Sequence, residues 1–424
     1  MSRRSKKEES AQAANVFQFT LAGLIAFSLA LIGGSSFIGY KLASGSSPPA
    51  DLAGSLAINQ MDKTSSAHAG PWGTLVTRDI QLERPVEYLT DEVTNPKPEV
   101  WTFAGSTPDT VKSMFAKNGL AAEQIAAAFA PGNFSVKNSG LELKPSEKFL
   151  LSLSPVQRQK LFGALAGSGV NLYIDYPYIF PGDDIAGVYT DLRLNPEDVA
   201  VLKALIYPNG SAQQLSDYAF LLEKIPTAER RTALTQVLSR QSAVLARLAV
   251  DQGSDIDKIA SYWGNMPTVR FTDVRPLLDS LKQLPEGGSI SLLYLLPKFA
   301  RDRLYTFPLP SQSGDPVMDC HWSTFNFAND APDNRFNDPI FAVEYIKKNF
   351  YQIAQPSIYG DILLLMNDKN EVKHSAVFIA DNIVFTKNGN NYRQPWMLMR
   401  IPDLLATYPA TPAMKPIYMR RKVN

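Results

Sequence analysis

At 424 residues, with 45% hydrophobic and 20% charged side chains, the chain has the make-up of an ordinary globular protein long enough for more than one core. A net charge of +1 excludes an overall field that would hold nucleic acid, and a single cysteine excludes an internal disulfide. The 30 prolines are spread along the chain, which argues for many short elements joined by defined turns.

Met1 to Asn15 carries Arg3, Arg4, Lys6 and Lys7 and reads as a polar stub with no reason to fold. Residues 16–40 hold no charged side chain and are apolar around the whole circumference, enough for one helix across a lipid bilayer. Positive charge on the leading side then places the N-terminus in the cytoplasm and the rest in the periplasm or outside the cell. Small residues at Gly33 to Ser36 and Ala43 to Ser47 keep a cleaved signal peptide as a rival, although the apolar core of such a peptide is about 7 to 15 residues long. Residues 41–70 read as a flexible linker, with His68 exposed in it and no companion ligand for a metal.

Residues 71–308 read as a mainly helical domain of unknown role. Thr74 to Thr77, Asp79 to Leu82 and Val100 to Phe103 have strand character. Helices are announced by a capping side chain before proline at Thr107-Pro108, Ser154-Pro155 and Asn195-Pro196. Ala228 to Val250 has helical pattern, with Leu234, Val237, Leu238, Leu245 and Leu248 as its core stripe. The tyrosines and acids from Asn171 to Asp184 suit a turn better than an acid and base pair. No catalytic signature stands in this region.

A stretch rich in proline, serine and glycine, Leu309 to Pro316, marks a boundary, and 309–424 reads as a C-terminal domain with a small antiparallel sheet, so that the whole chain is α+β. The run Cys320 to Phe327 has no glycine or proline and predicts a short helix that starts at Asp319 or Cys320. Free amides at that end lower a thiol pKa and offer the Cys320 N–H to an oxyanion. Asp338 and Pro339 open a second helix. Three strands in a meander follow: Gly360 to Leu365, His374 to Ile379 and Ile383 to Thr386. The basic end Arg420-Arg421-Lys422 reads as a solvated terminus.

Asp319-Cys320 at a helix start, Gly360-Asp361 before an apolar strand, and His374-Ser375-Ala376-Val377-Phe378-Ile379-Ala380-Asp381-Asn382 as histidine, strand and turn resemble the NlpC-type cell-wall peptidases. These are papain-like cysteine peptidases that cut the peptide stems of bacterial peptidoglycan. The resemblance covers about the last quarter of the chain and implies a papain-like domain in which Cys320 is the nucleophile, His374 the general base and no cofactor is needed. Asp319 matches the acidic residue before the family's cysteine. Where the family has Ser-Gly after the cysteine, this chain has His321-Trp322. The polar residue that orients the base falls at Asn388 or Thr386, on one strand face if the strand runs that far.

Asp319, His321 and Trp322 are the candidate substrate-binding residues. His321, a helical neighbour of Cys320, points too far round to serve it as base and lies either along a cleft or on the surface. A zinc site of Cys320, His321 and His374 lacks paired-ligand spacing. Tyr392 and Trp396 are expected to pack the sheet. Two functions from different classes stand: a membrane-anchored, extracytoplasmic cysteine hydrolase of peptidoglycan amide bonds, and a catalytically inactive tethered scaffold that binds envelope proteins.

Overall fold

The computed structural model describes residues 65–266, 268–309, 317–390, 392–409 and 413–422. Among these the chain is α+β, with short helices threaded between antiparallel sheets. Pro108–Lys117, Pro155–Leu165 and Pro196–Leu205 start where expected. Thr107, Ser154 and Asn195 each accept a first-turn backbone N–H, and proline gives up no bond there.

The middle of the chain carries strands among its helices. Two three-stranded sheets lie within it, one of Trp101–Ala104, Gly140–Leu143 and Phe134–Lys137, the other of Tyr178–Pro181, Ala212–Leu215 and Tyr207–Asn209. They share one core, from Trp101 to Leu238, with the helices around them. At its centre the Trp101 ring meets Phe115, Phe149 and Phe162 edge-on at 6.4, 5.9 and 5.5 Å. The long helix expected from Ala228 to Val250 stops at Leu238, and Gln241–Val250 is a strand. Its Ala246, Leu248 and Val250 alternate into the core while Leu245 stays exposed, so a period of two overrides the apparent helical stripe.

That strand joins a four-stranded sheet in the order Ser65–Gly70, Gly73–Leu82, Gln241–Val250, Gly288–Ser291. Order therefore begins before residue 71, and the expected linker ends as an edge strand. His68 sits on that strand, its Nδ1 3.6 Å from Asp381 Oδ2 across the molecule. The expected membrane helix and stub fall on residues outside those described. Among the described residues no helix is long and apolar enough to cross a membrane, and the fold class is corrected accordingly.

The C-terminal sheet has six strands, larger than the meander expected. Its order is Phe350–Ile353, Lys415–Arg421, Ile362–Met366, Val372–Ala380, Ile383–Lys387, Trp396–Arg400. The basic end is thus a strand, and Arg420 reaches Asp361 at 2.7 Å. Among the described residues no apolar cluster is confined to the C-terminal side of the expected 308/309 boundary. Leu75, Val244, Leu248, Trp263 and Phe299 belong to the same apolar cluster as Trp322, Phe325, Val377 and Phe385. A smaller cluster on the other face of the six-stranded sheet collects Leu363, Leu365, Ala376, Val384, Met397 and Leu404. Between the irregularities near either end of the histidine strand, Val372–Ala380, His374 and Ala376 face one way and Ser375 and Val377 the other, the even-numbered and odd-numbered faces.

Candidate active site

The thiol helix runs Cys320–Asn326, and Asp319 caps it by accepting the Trp322 N–H on Oδ1 at 2.7 Å. Every residue of this helix is buried. It packs on the odd-numbered face of the histidine strand through Ser375. The Ser375 hydroxyl lies 3.3 Å from the Cys320 carbonyl, 3.0 Å from Thr324 Oγ1 and 2.9 Å from Nδ1 of His321. His321 is therefore neither on the surface nor along a cleft: it is buried, it locks helix to strand, and burial holds its pKa below the ordinary value. Trp322 points into the core, its Nε1 donating to Asn334 Oδ1 at 3.1 Å and its ring 5.2 Å from that of Phe299. No substrate role is open to it there. Trp396 packs the sheet, and its indole donates to Ser323 Oγ at 2.9 Å.

Cys320 is buried, 5% exposed. The backbone N–H groups of Ser375 and His321 point at it, and the charges of Asp319 and Lys387 act on it. The pairing of the histidine strand with Ile383–Lys387 starts only at Val377 opposite Phe385, so the Ser375 N–H is left for the thiol by the ladder's end. Burial first, then the Asp319 charge, push the thiol pKa far up, and the resting group is a thiol. Lys387, fully buried, donates to the Gly389 carbonyl at 2.9 Å; burial pulls its pKa down to about 8 against the upward pull of Asp319 and Cys320.

His374 occupies the even-numbered face and is 0% exposed. Both ring nitrogens are engaged. Nε2 is 2.8 Å from Thr386 Oγ1, and the Thr386 hydroxyl donates onward to Asn388 Oδ1 at 3.3 Å. Thr386 has one hydrogen, so its oxygen accepts the Nε2–H, which leaves the lone pair on Nδ1. Nδ1 in turn accepts from the Tyr408 hydroxyl at 2.7 Å, with the two rings 4.5 Å apart and tilted by 31°. Among the described residues no hydrogen bond links the Cys320 thiol to the imidazole. Burial, then the charges of His321 and Lys387, hold the His374 pKa well below its ordinary value. Of the two residues expected to orient the base, Thr386 touches it and Asn388 stands one bond behind.

Neither family models, curated proteins nor solved structures match this chain. The site is read from its own geometry.

Sequence reasoning missed Ser375, Lys387 and Tyr408. A lysine ending the apolar run Ile383–Val384–Phe385–Thr386 was a usable signal, because a buried ammonium needs a reason. Tyr408, 34 residues after His374, had none. Among the described residues no group of three histidine, cysteine, aspartate or glutamate side chains is placed to hold a metal ion.

Proposed function

We propose that Cys320 and His374 are the nucleophile and base of a papain-like thiol hydrolase, held closed in the resting chain, that cleaves amide or ester bonds. The observation that carries this reading is the chain Asn388, Thr386, His374, which fixes the imidazole as the tautomer with a basic Nδ1, the form that accepts a thiol proton. A buried cysteine kept only for packing has no use for the polar groups gathered around this one. This function requires an opening that brings the thiol, seated on the odd-numbered face, to Nδ1 on the even-numbered face; Nδ1 then takes the Cys320 proton and the sulfur attacks the substrate carbonyl carbon. The imidazolium then protonates the leaving amine or alcohol, and water hydrolyses the thioester with the same base. Lys387 and the N–H groups of Ser375 and His321 favour the thiolate as it forms; the Asp319 charge opposes it. The peptide stems of peptidoglycan are the substrate class we propose, and the resemblance to the NlpC-type peptidases alone supports that choice.

The second reading, an inactive binding scaffold, draws on the burial of both groups and on pKa directions that favour neutral thiol and neutral imidazole. Alkylation of Cys320 by iodoacetamide at pH 7.5 separates the two. A hydrolase gives a rate that falls about tenfold or more in His374→Ala, the range of one general base's contribution being about 10² to 10⁴. Equal and slow labelling of both proteins supports the scaffold.

A further inference from the structure

We infer that the pocket between Arg393 and the strand Tyr178–Pro181 is a binding site for a small oxyanion, a carboxylate or phosphate group held by the Arg393 guanidinium. This site stands apart from Cys320 and does not depend on the hydrolase reading.

The first observation is charge. Arg84 and Arg393 are both buried, 0% and 5% exposed. Arg393 lies between two tyrosine rings, its guanidinium carbon 5.2 Å from the Tyr173 centroid and 4.9 Å from that of Tyr178, and it donates to the Tyr176 carbonyl at 2.6 Å. Arg84 lies 5.0 Å over the Tyr392 ring and donates to the Tyr88 carbonyl at 3.1 Å. The carboxylate among these side chains is Glu92, which bonds Arg84 at 3.3 Å and accepts from the Tyr173 hydroxyl at 3.1 Å. Other acids of the neighbouring elements have their own partners. Asp175 accepts from the Gly167 and Asn171 N–H groups, and Glu83 and Asp191 pair with Arg193 and Arg240. Among the described residues the cluster therefore holds two guanidinium charges to one carboxylate. Ring faces attract a cation, but an opposite charge offsets the cost of burying it far better.

The second observation is space with polar walls. A cavity of about 300 Å³, partly open to solvent, is lined by Arg393 together with Tyr178, Ser239, Gln241 and Gln394. The buried Oε1 of Gln394 accepts no hydrogen bond, and the Tyr178 hydroxyl leans on the Arg393 guanidinium without bonding geometry. Buried polar groups are paired as a rule, so both are groups that a ligand would satisfy. Guanidinium and phenol supply donors, which selects a ligand rich in acceptor oxygens, and the planar fork of arginine matches a carboxylate or phosphate. Gln394 Oε1 then takes an O–H or N–H of the ligand, such as that of a protonated phosphate or an α-hydroxy or α-amino acid. For a plain carboxylate, a half-turn of the amide offers its N–H instead. Arg393 lies on the connection between Ile383–Lys387 and Trp396–Arg400, so the bound anion fastens that connection to the middle region.

The test is the thermal midpoint of the full chain in sodium acetate or sodium phosphate against sodium chloride at the same ionic strength. The site gives a midpoint about 2 °C or more higher in about 20 mM of at least one oxyanion than in chloride. A rise with acetate alone identifies a carboxylate site, with phosphate alone a phosphate site, and with both a general oxyanion site. Arg393→Met abolishes the rise. Gln394→Glu sets a carboxylate beside the guanidinium, so its midpoint in chloride lies above that of wild type and the oxyanions add nothing. Equal wild-type midpoints in the three salts overturn the site, and so does a rise kept in full by either variant. Should Arg393→Met not fold, Gln394→Glu decides alone. The hydrolase reading fails on a different measurement, the alkylation of Cys320 in wild type against His374→Ala.

Discussion

Thr386 and Tyr408 take one ring nitrogen each of His374, and no water reaches the ring. The cost of charging it there sets a pH dependence. The unfolded histidine binds its proton near pH 6.5 while the folded one, held well below that value, does not. Between those two values the unfolded state holds more protons, so stability is complete above pH 6.5 and is lost as the pH falls through the window. His321 acts in the same sense. Glu99 acts in the opposite sense: burial raises its carboxyl from 4.5 to about 7, so its contribution is present at low pH and lost as the pH rises through 7. Urea midpoints at pH 7.5 and 5.5 read the balance. Glu99→Gln steepens the loss on acidification and His374→Gln lessens it, each by up to about 1.4 kcal/mol per pH unit. A slope unchanged by either substitution contradicts the assigned burial.

The thiol helix and the histidine strand owe their positions to local chemistry that the sequence displays: an aspartate cap at 319, a polar turn at 380–382 where Asp381 adopts φ 56°, and alternation along 374–377. That is why both ends of the candidate site were legible. What covers the imidazole was not. Tyr408 arrives from a helix whose contacts are all tertiary, and a lone tyrosine after a proline-opened helix carries no local signature. Strand 241–250 failed for a related reason. Leucines at 234, 238, 245 and 248 satisfy a helical period, but pairing with Gly73–Leu82 on one side and Gly288–Ser291 on the other decides the local structure. The third site residue turned on register: Asn388 and Thr386 share a face, and only the placed chain shows that Thr386 is the nearer to His374.

At the scale of the whole molecule, one cluster of side chains runs from Leu75 to Met419 and takes in both the four-stranded and the six-stranded sheets. The Tyr262 hydroxyl, on helix Ile256–Trp263, donates to the Ile379 carbonyl at 2.7 Å and Tyr359 to that of Leu295 at 3.0 Å, so buried bonds as well as apolar packing join the segments on either side of residue 309. Composition could suggest a boundary near residue 309, but it could not show that the cores on either side are one. A fragment of residues 317–424 therefore does not fold alone. It lacks Trp263, Leu248 and Phe299 against the thiol helix and histidine strand, and its circular dichroism shows no cooperative thermal transition. A sharp transition in the fragment contradicts the shared core.

The central claim concerns a bond that Cys320 makes. The most direct measurement is mass spectrometry of the full chain after brief exposure to p-nitrophenyl acetate at pH 7.5, with the acetyl group mapped by peptide. The account predicts one acetyl thioester on Cys320 that decays as acetate is released in wild type, and none in His374→Ala. An unmodified Cys320 in both proteins, or acetylation indifferent to His374, would contradict it.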